Sequence, residues 1–283
     1  MEKWPVGVFA SIDAGLGVKL EVVRDLGIKT VQLHTPHKES RTPEKANEFL
    51  KKLADYGITI TAVFCGFEGE SYASIKITAE TVGLVPKATR AERIVETKEI
   101  ADFAKLLGVS AIGSHIGFVP HDKNDPDYPE VVAMIRDICE YLKRNGQALH
   151  LETGQEPADT LLEFIDDVGM DNLFINFDPA NLILYGIGEP IGDLKKVGHK
   201  VRSVHCKDGI ATKGTPEVDW GQEVPFGTGE VGAEQFLRTL KEVGYDGPLT
   251  IEREIPEEPD RQKAEIGQAL KLINDLKAKI RAS

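Results

Sequence analysis

The 283-residue chain predicts a single-domain α/β protein folded as a (β/α)8 barrel. Three observations support this: short Val- and Ile-rich runs alternate with amphipathic stretches eight times, glycine stands just before many of those runs, and polar residues recur where the runs end. Barrels routinely use about 250 residues as one domain, so the length demands no second one. The rival fold, a doubly wound open sheet, would place Gly-x-Gly-x-x-Gly after its first strand, and no such motif follows PVGVFA here.

PVGVFA forms the first strand and GLGVKLEVVRDLG carries the first helix. IKTVQLH is the second strand, ending at His34, and TPEKANEFLKKLADYG the helix that stops at Gly57. ITITAVF is the third strand, followed by a long excursion over 65–87 and a helix from near Ala88 to Gly108. VSAIGSH is the fourth strand, with a helix from Tyr128 to Asn145 after it. QALHLE and ADTLLEFIDDVG make the fifth unit, and NLFINFD and EPIGDLKKVG the sixth. KVRSVHCKD is the seventh strand, AEQFLRTLKEVG its helix, GPLTIERE the eighth strand, and residues 259–280 close the chain as an amphipathic helix. Five helices end in glycine before the next strand, in DLGIKT, DYGITI, LLGVSA, DVGMDN and EVGYDG, as expected where a left-handed residue turns the chain back. The long loops 65–87 and 206–232 are candidates for lids or oligomer contacts. FGTGEVG in the second makes a tight turn whose glycines offer a weak case for an anion site.

A formal net charge of -12 without a compact basic block argues against a nucleic-acid partner. No run approaches the roughly 20 apolar residues that cross a bilayer, and the first residues lack the pattern of a secretory signal. Cys65, Cys139 and Cys206 are odd in number and widely spaced, which suits a reducing compartment, with the cytoplasm as the expected location.

The ends of barrel strands point into one shared bowl, so the last residue of each is more informative than any local motif. These residues are His34, His115, Glu152, Asp178, His205 and Glu252. Three carboxylates converging without compensation would repel one another, and a divalent cation resolves that repulsion. Glu152, Asp178, His205 and Glu252 are therefore the expected ligands of one ion, against a buried polar network that only orders the barrel mouth; oxygen donors with one imidazole suit Mn²⁺, Mg²⁺, Co²⁺ or Zn²⁺. Glu152 and Glu252 come from the fifth and eighth strands, so each could address one face of a substrate as an acid/base pair, while the metal stabilises an enediolate. His34, His115, Gln155, Asn181, Lys207 and Asp208 are the expected substrate contacts, against plain roles in loop order, a rim ion pair or polar satisfaction. Phe9, Phe64, Phe67 and Phe118 are candidates for an apolar wall, with core packing the simpler reading.

LHLETGQE, NFDPANL, VHCKD and LTIERE, around Glu152, Asp178, His205 and Glu252, give the chain a resemblance to the sugar phosphate isomerase/epimerase family of xylose-isomerase-like TIM barrels. That family includes ketose 3-epimerases, hydroxypyruvate isomerases and inosose dehydratases. The resemblance implies a metal held by these four residues, with Mn²⁺ as the first choice, the two glutamates as acid and base, and dimers or tetramers as assemblies. The chain departs from the ketose 3-epimerase pattern at two places. Asn181 stands where a substrate-contacting histidine follows the metal aspartate by three, and Ala211 where an arginine follows the metal histidine by six. Lys207 or Lys213 could bring positive charge instead. Related apurinic endonucleases need a three-metal cluster with more histidines than the 7 present here. The leading expectation is thus an isomerase or epimerase on a small carbohydrate or keto-polyol. The alternatives are a lyase or dehydratase that expels a β-substituent from the same enediolate, and a non-catalytic sugar-binding barrel.

Overall fold

The computed structural model describes residues 3–13, 17–212, 220–256 and 258–282. Eight parallel strands form the barrel: β1 (Val6–Ser11), β2 (Thr30–His34), β3 (Thr59–Phe64), β4 (Ala111–Ser114), β5 (Ala148–Glu152), β6 (Leu173–Phe177), β7 (Val201–Cys206) and β8 (Leu249–Ile251). Neighbours in sequence are neighbours in the sheet, and β1 closes the ring by pairing with β8, Val8 opposite Ile251. The principal helices outside it are α1 (Leu20–Asp25), α2 (Pro43–Tyr56), α3 (Lys87–Leu106), α4 (Tyr128–Arg144), α5 (Ala158–Val168), α6 (Pro190–Val197), α7 (Ala233–Glu242) and α8 (Pro259–Ala282). The expected fold and element order are borne out. No described helix is long and apolar enough to cross a membrane.

Local chemistry explains the elements. Thr42 caps α2 by accepting from the Lys45 N–H, with Pro43 at the first helical position, where a missing N–H costs nothing. α4 buries Val131, Ile135, Ile138 and Leu142, spaced so that they form one stripe toward the sheet. Each fully buried side chain of this size contributes about 1.5–3 kcal/mol relative to exposure. Gly27, Gly57, Gly108, Gly169 and Gly244, the five predicted returns, all have φ between 65° and 80°. α1 is shorter than the sequence suggests because Val18 and Lys19 pair with the end of β1 instead of entering the helix.

Both long loops contain structure that fixes them. In 65–87, the helix Ile75–Thr81 is held by Arg93 of α3, which donates to the carbonyls of Thr81 at 2.6 Å, Gly83 at 2.7 Å and Glu68 at 3.1 Å. Glu70 in the same loop accepts from Phe67 N–H at 3.0 Å and Gly83 N–H at 2.7 Å. In 206–232, Asp208–Ile210 and Gln222–Val224 form a small antiparallel ladder. A further short helix, Pro179–Leu184, follows β6 directly.

The barrel interior is polar near its open end. Gln32 on β2 reaches across to Asn176 on β6, Nε2 to Oδ1 at 3.0 Å, and His150 on β5 meets Ser203 on β7, Nδ1 to Oγ at 2.9 Å. These residues lie two positions before His34, Asp178, Glu152 and His205, on the same face of their strands.

Candidate metal centre at the barrel mouth

Four side chains from consecutive strands meet where the polar layer ends. Glu152 is the last residue of β5, His205 the penultimate residue of β7, and Asp178 and Glu252 directly follow β6 and β8. One ligand atom from each lies within 4.8 Å of the others, so the four could hold a single ion. His205 Nδ1 is 2.8 Å from Glu152 Oε1, 2.9 Å from Glu252 Oε2 and 3.7 Å from Asp178 Oδ2. None of those three buried oxygens meets a well-directed hydrogen-bond donor. Three carboxylate oxygens aimed at one point and left unsatisfied make a fitting donor set for a divalent cation.

Supporting contacts orient the ligands. Gln32 Oε1 lies 2.7 Å from His205 Nε2 and accepts its proton, which leaves Nδ1 facing the carboxylates. Asp178 uses Oδ1 to cap the helix Pro179–Leu184, accepting from Ala180 N–H at 2.8 Å and Asn181 N–H at 3.2 Å, while Oδ2 stays free for the centre. Thr153 ties this corner to β5: its hydroxyl accepts from Asp178 N–H at 2.7 Å.

The two glutamates differ in proton affinity. Burial, reinforced by the charges of Glu252 and Asp178, pushes the Glu152 carboxyl up to about 7 against the pull of His205. Burial acts on Glu252 in the same direction, but His205 and Lys207 outweigh it and hold that carboxyl below the usual range. Burial opposes charge on His205, yet Glu252, Asp178 and Glu152 raise its proton affinity well above normal. The carboxylates therefore demand a positive charge at their centre, from the imidazolium or from a metal.

A cavity of about 330 Å³ opens onto the cluster. His34, His115, Asn181 and Lys207 line it. Burial lowers both His34 and His115 to about 4, so both imidazoles are neutral near pH 7. Each packs against a glycine: a Cβ on Gly66 would lie 2.4 Å from His34 Nε2, and one on Gly154 2.6 Å from His115 Nε2. Asn181 Nδ2 donates to the Thr153 carbonyl at 3.0 Å. Lys207 Nζ is 3.2 Å from both Glu252 Oε2 and Glu254 Oε1.

Two expected contacts are corrected. Gln155 is turned away from the cavity, its Oε1 3.0 Å from His121 Nε2 and its amide against Glu156. Asp208 is also absent from the cavity wall and forms no rim pair with Lys207: its Oδ2 accepts from Gly227 and Gly229 N–H at 2.9 and 3.0 Å, its Oδ1 from Gly209 and Val231 N–H at 2.9 and 3.1 Å. The turn amides of FGTGEVG are thereby occupied by the chain's own carboxylate, which removes the case for an anion there. Phe9 and Phe64 line the cavity; Phe67 lies under Arg93 and Phe118 packs against Tyr185. Ala211 is exposed at the small ladder, and Lys213 lies outside the described residues.

Sequence reasoning missed the rings of Tyr72, Tyr185 and Trp220, the rim charges Glu70, Glu223, Arg253 and Glu254, and the orienting pair Gln32 and Asn176. The pair carried a signal, since each lies two residues before a strand-end polar group.

Comparison with known proteins places this geometry. A 118-residue stretch is 27% identical to the uncharacterized protein MJ1311 of Methanocaldococcus jannaschii, covering 41% of this chain and 38% of that protein. The structure of a xylose isomerase domain protein from Planctomyces limnophilus is 56% identical, covers 99% of this chain and 100% of its own, and superposes with a TM-score of 0.96. The structure of an L-ribulose 3-epimerase shares the fold at 17% identity and a TM-score of 0.74, over 100% of this chain and 96% of that one. The model of the xylose isomerase-like TIM barrel family matches residues 20–276, and the chain belongs to that family.

Proposed function

We propose that the protein is a divalent-metal-dependent isomerase or epimerase acting on a small keto-sugar or keto-polyol, with Mn²⁺ as the expected ion. The observation that carries this reading is geometric: Glu152 and Glu252 both lie within 2.9 Å of His205 Nδ1, belong with Asp178 to one buried donor cluster, and both line the cavity. Two carboxylates bordering one cavity can serve as the groups that remove and return a substrate proton.

Glu152, Asp178, His205 and Glu252 would hold the ion, whose charge would favour negative charge developing on the oxygens of an enediolate. Glu252, kept ionised by its cationic neighbours, removes the proton from the carbon beside the carbonyl. Glu152, the second glutamate of the pair, returns a proton to the other face or to the adjacent carbon. Return to the same carbon inverts it, and delivery to its neighbour moves the carbonyl. Neutral His34 and His115 hydrogen-bond hydroxyls, while Lys207, 3.2 Å from Glu252 Oε2, favours the ionised form of that carboxylate.

Proton NMR in D₂O with the manganese-loaded protein and a panel of ketoses, keto-glycosides, inososes and hydroxy ketones tests this. Deuterium appearing at the reacting carbon, with an epimer or carbonyl isomer, is the expected outcome. An α,β-unsaturated ketone would reassign the protein as a lyase, and absence of exchange across the panel in metal-loaded protein would favour a binding role.

A further inference from the structure

Part of the cavity wall is built from rings. Trp220 packs against Tyr185 with centroids 4.6 Å apart at 64°, and the His115 ring lies nearly parallel to Tyr185 at 6.1 Å and 9°. Tyr72, carried by the clamped loop 65–87, meets the edge of His115 at 6.2 Å. Together they make a continuous apolar surface beside the metal centre. A six-membered ring offers a matching face of C–H groups, whereas a freely rotating open chain must lose torsional freedom to present one.

The polar atoms left unpartnered along this cavity are suited to hydroxyls. Trp220 Nε1, His34 Nδ1 and His115 Nδ1 are buried without hydrogen-bond partners. The cations are not free to receive an anion. Among the described residues, those lining the cavity are Lys207 and Arg253. Lys207 is committed to Glu252 and Glu254. Arg253 holds Glu223 at 2.9 Å through Nη1 and Glu265 at 2.8 Å through Nε, with its side chain only 13% exposed. Glu70, Glu223 and Glu254 add negative charge to the rim. A phosphate dianion would have to displace these pairs and enter against like charge.

We infer that the cavity takes neutral, unphosphorylated ring polyols or their keto forms, with the ring face on Tyr185 and Trp220, and rejects phosphorylated and open-chain counterparts. This rests on the carbohydrate reading above but not on turnover. Calorimetric titration of the manganese-loaded full-length protein with myo-inositol, myo-inositol monophosphate and D-glucitol separates the two. Binding of the cyclitol at least tenfold tighter than either competitor is expected. Trp220→Ala should weaken cyclitol binding at least tenfold and change D-glucitol binding less than threefold, with Trp220→Phe restoring most of the cyclitol affinity. Phosphate binding equal to or tighter than the neutral ring, no preference for ring over chain, no cyclitol binding at all, or an equal loss for both polyols in Trp220→Ala would overturn the inference. If the affinity pattern holds while no substrate exchanges deuterium, the isomerase reading fails and the specificity assignment stands.

Discussion

Two aspartates one strand apart, at the ends of β6 and β7, are both almost fully buried yet serve opposite purposes. Asp208 has both oxygens filled by four backbone N–H groups and ties a loop to the barrel. Asp178 spends one oxygen on a helix cap and leaves the other without a donor, facing His205 and two more carboxylates. Burial and charge are common to both corners. Incomplete satisfaction marks the corner that awaits something, because an unpaired buried polar atom costs about 1–3 kcal/mol and persists where a ligand or reaction uses it.

Substitution can break this contrast. At the functional corner, Glu252→Gln should lower deuterium exchange by about 10²- to 10⁴-fold, the usual worth of a positioned base, while circular dichroism stays unchanged. At the architectural corner, Asp208→Ala leaves buried amides without acceptors and should cost about 3 kcal/mol or more in denaturant unfolding, while manganese affinity measured by calorimetry changes little. A large loss of metal affinity in Asp208→Ala would show that the two corners are not separable.

Glu156 is an intermediate case. Its Oε1 accepts from Val119 N–H at 3.1 Å and from Gln155, and burial lifts its carboxyl from 4.5 to about 7. Folded protein therefore holds a proton that unfolded chain releases as pH rises from 4.5 to about 7, so this group lowers stability across that window. The difference amounts to about 3 kcal/mol at most. Glu156→Gln should flatten that decline in unfolding free energy measured at pH 5 and pH 8, and an unaltered slope would place its origin elsewhere. The smallest expected effect is the thermal stabilisation by metal: manganese at a hundredfold excess over its dissociation constant should add about 2.7 kcal/mol, and Asp178→Asn should abolish most of that gain.

The four residues of the cluster were legible because each stands at a strand end, and strand ends converge in a barrel whatever the loops do. The glycine returns were legible because a left-handed helix stop needs a residue without Cβ. Asp208 was misread by adjacency: His205 and Lys207 share one face of the chain and Asp208 falls on the other, so the alternation of an extended chain already separated it from the cavity. Gln155 lies beyond the last residue of β5, where that alternation no longer applies. Tyr72 and Trp220 come from the two long loops, and Tyr185 caps the short helix after β6. Their convergence depends on the Arg93 clamp, the Asp208 anchor and the fold of the whole, none of which a local pattern encodes.

The double use of the Asp178 carboxylate also constrains how this protein can vary. The same carboxylate that faces the acidic cluster starts the helix from which Asn181 and Tyr185 reach the cavity, so the cluster and that part of the cavity wall share one covalent hinge. An insertion between β6 and that helix would uncouple them in one step. The rings on the long loops can change while the carboxylate at the end of β6 stays in place, so the cavity wall is free to vary without disturbing the cluster.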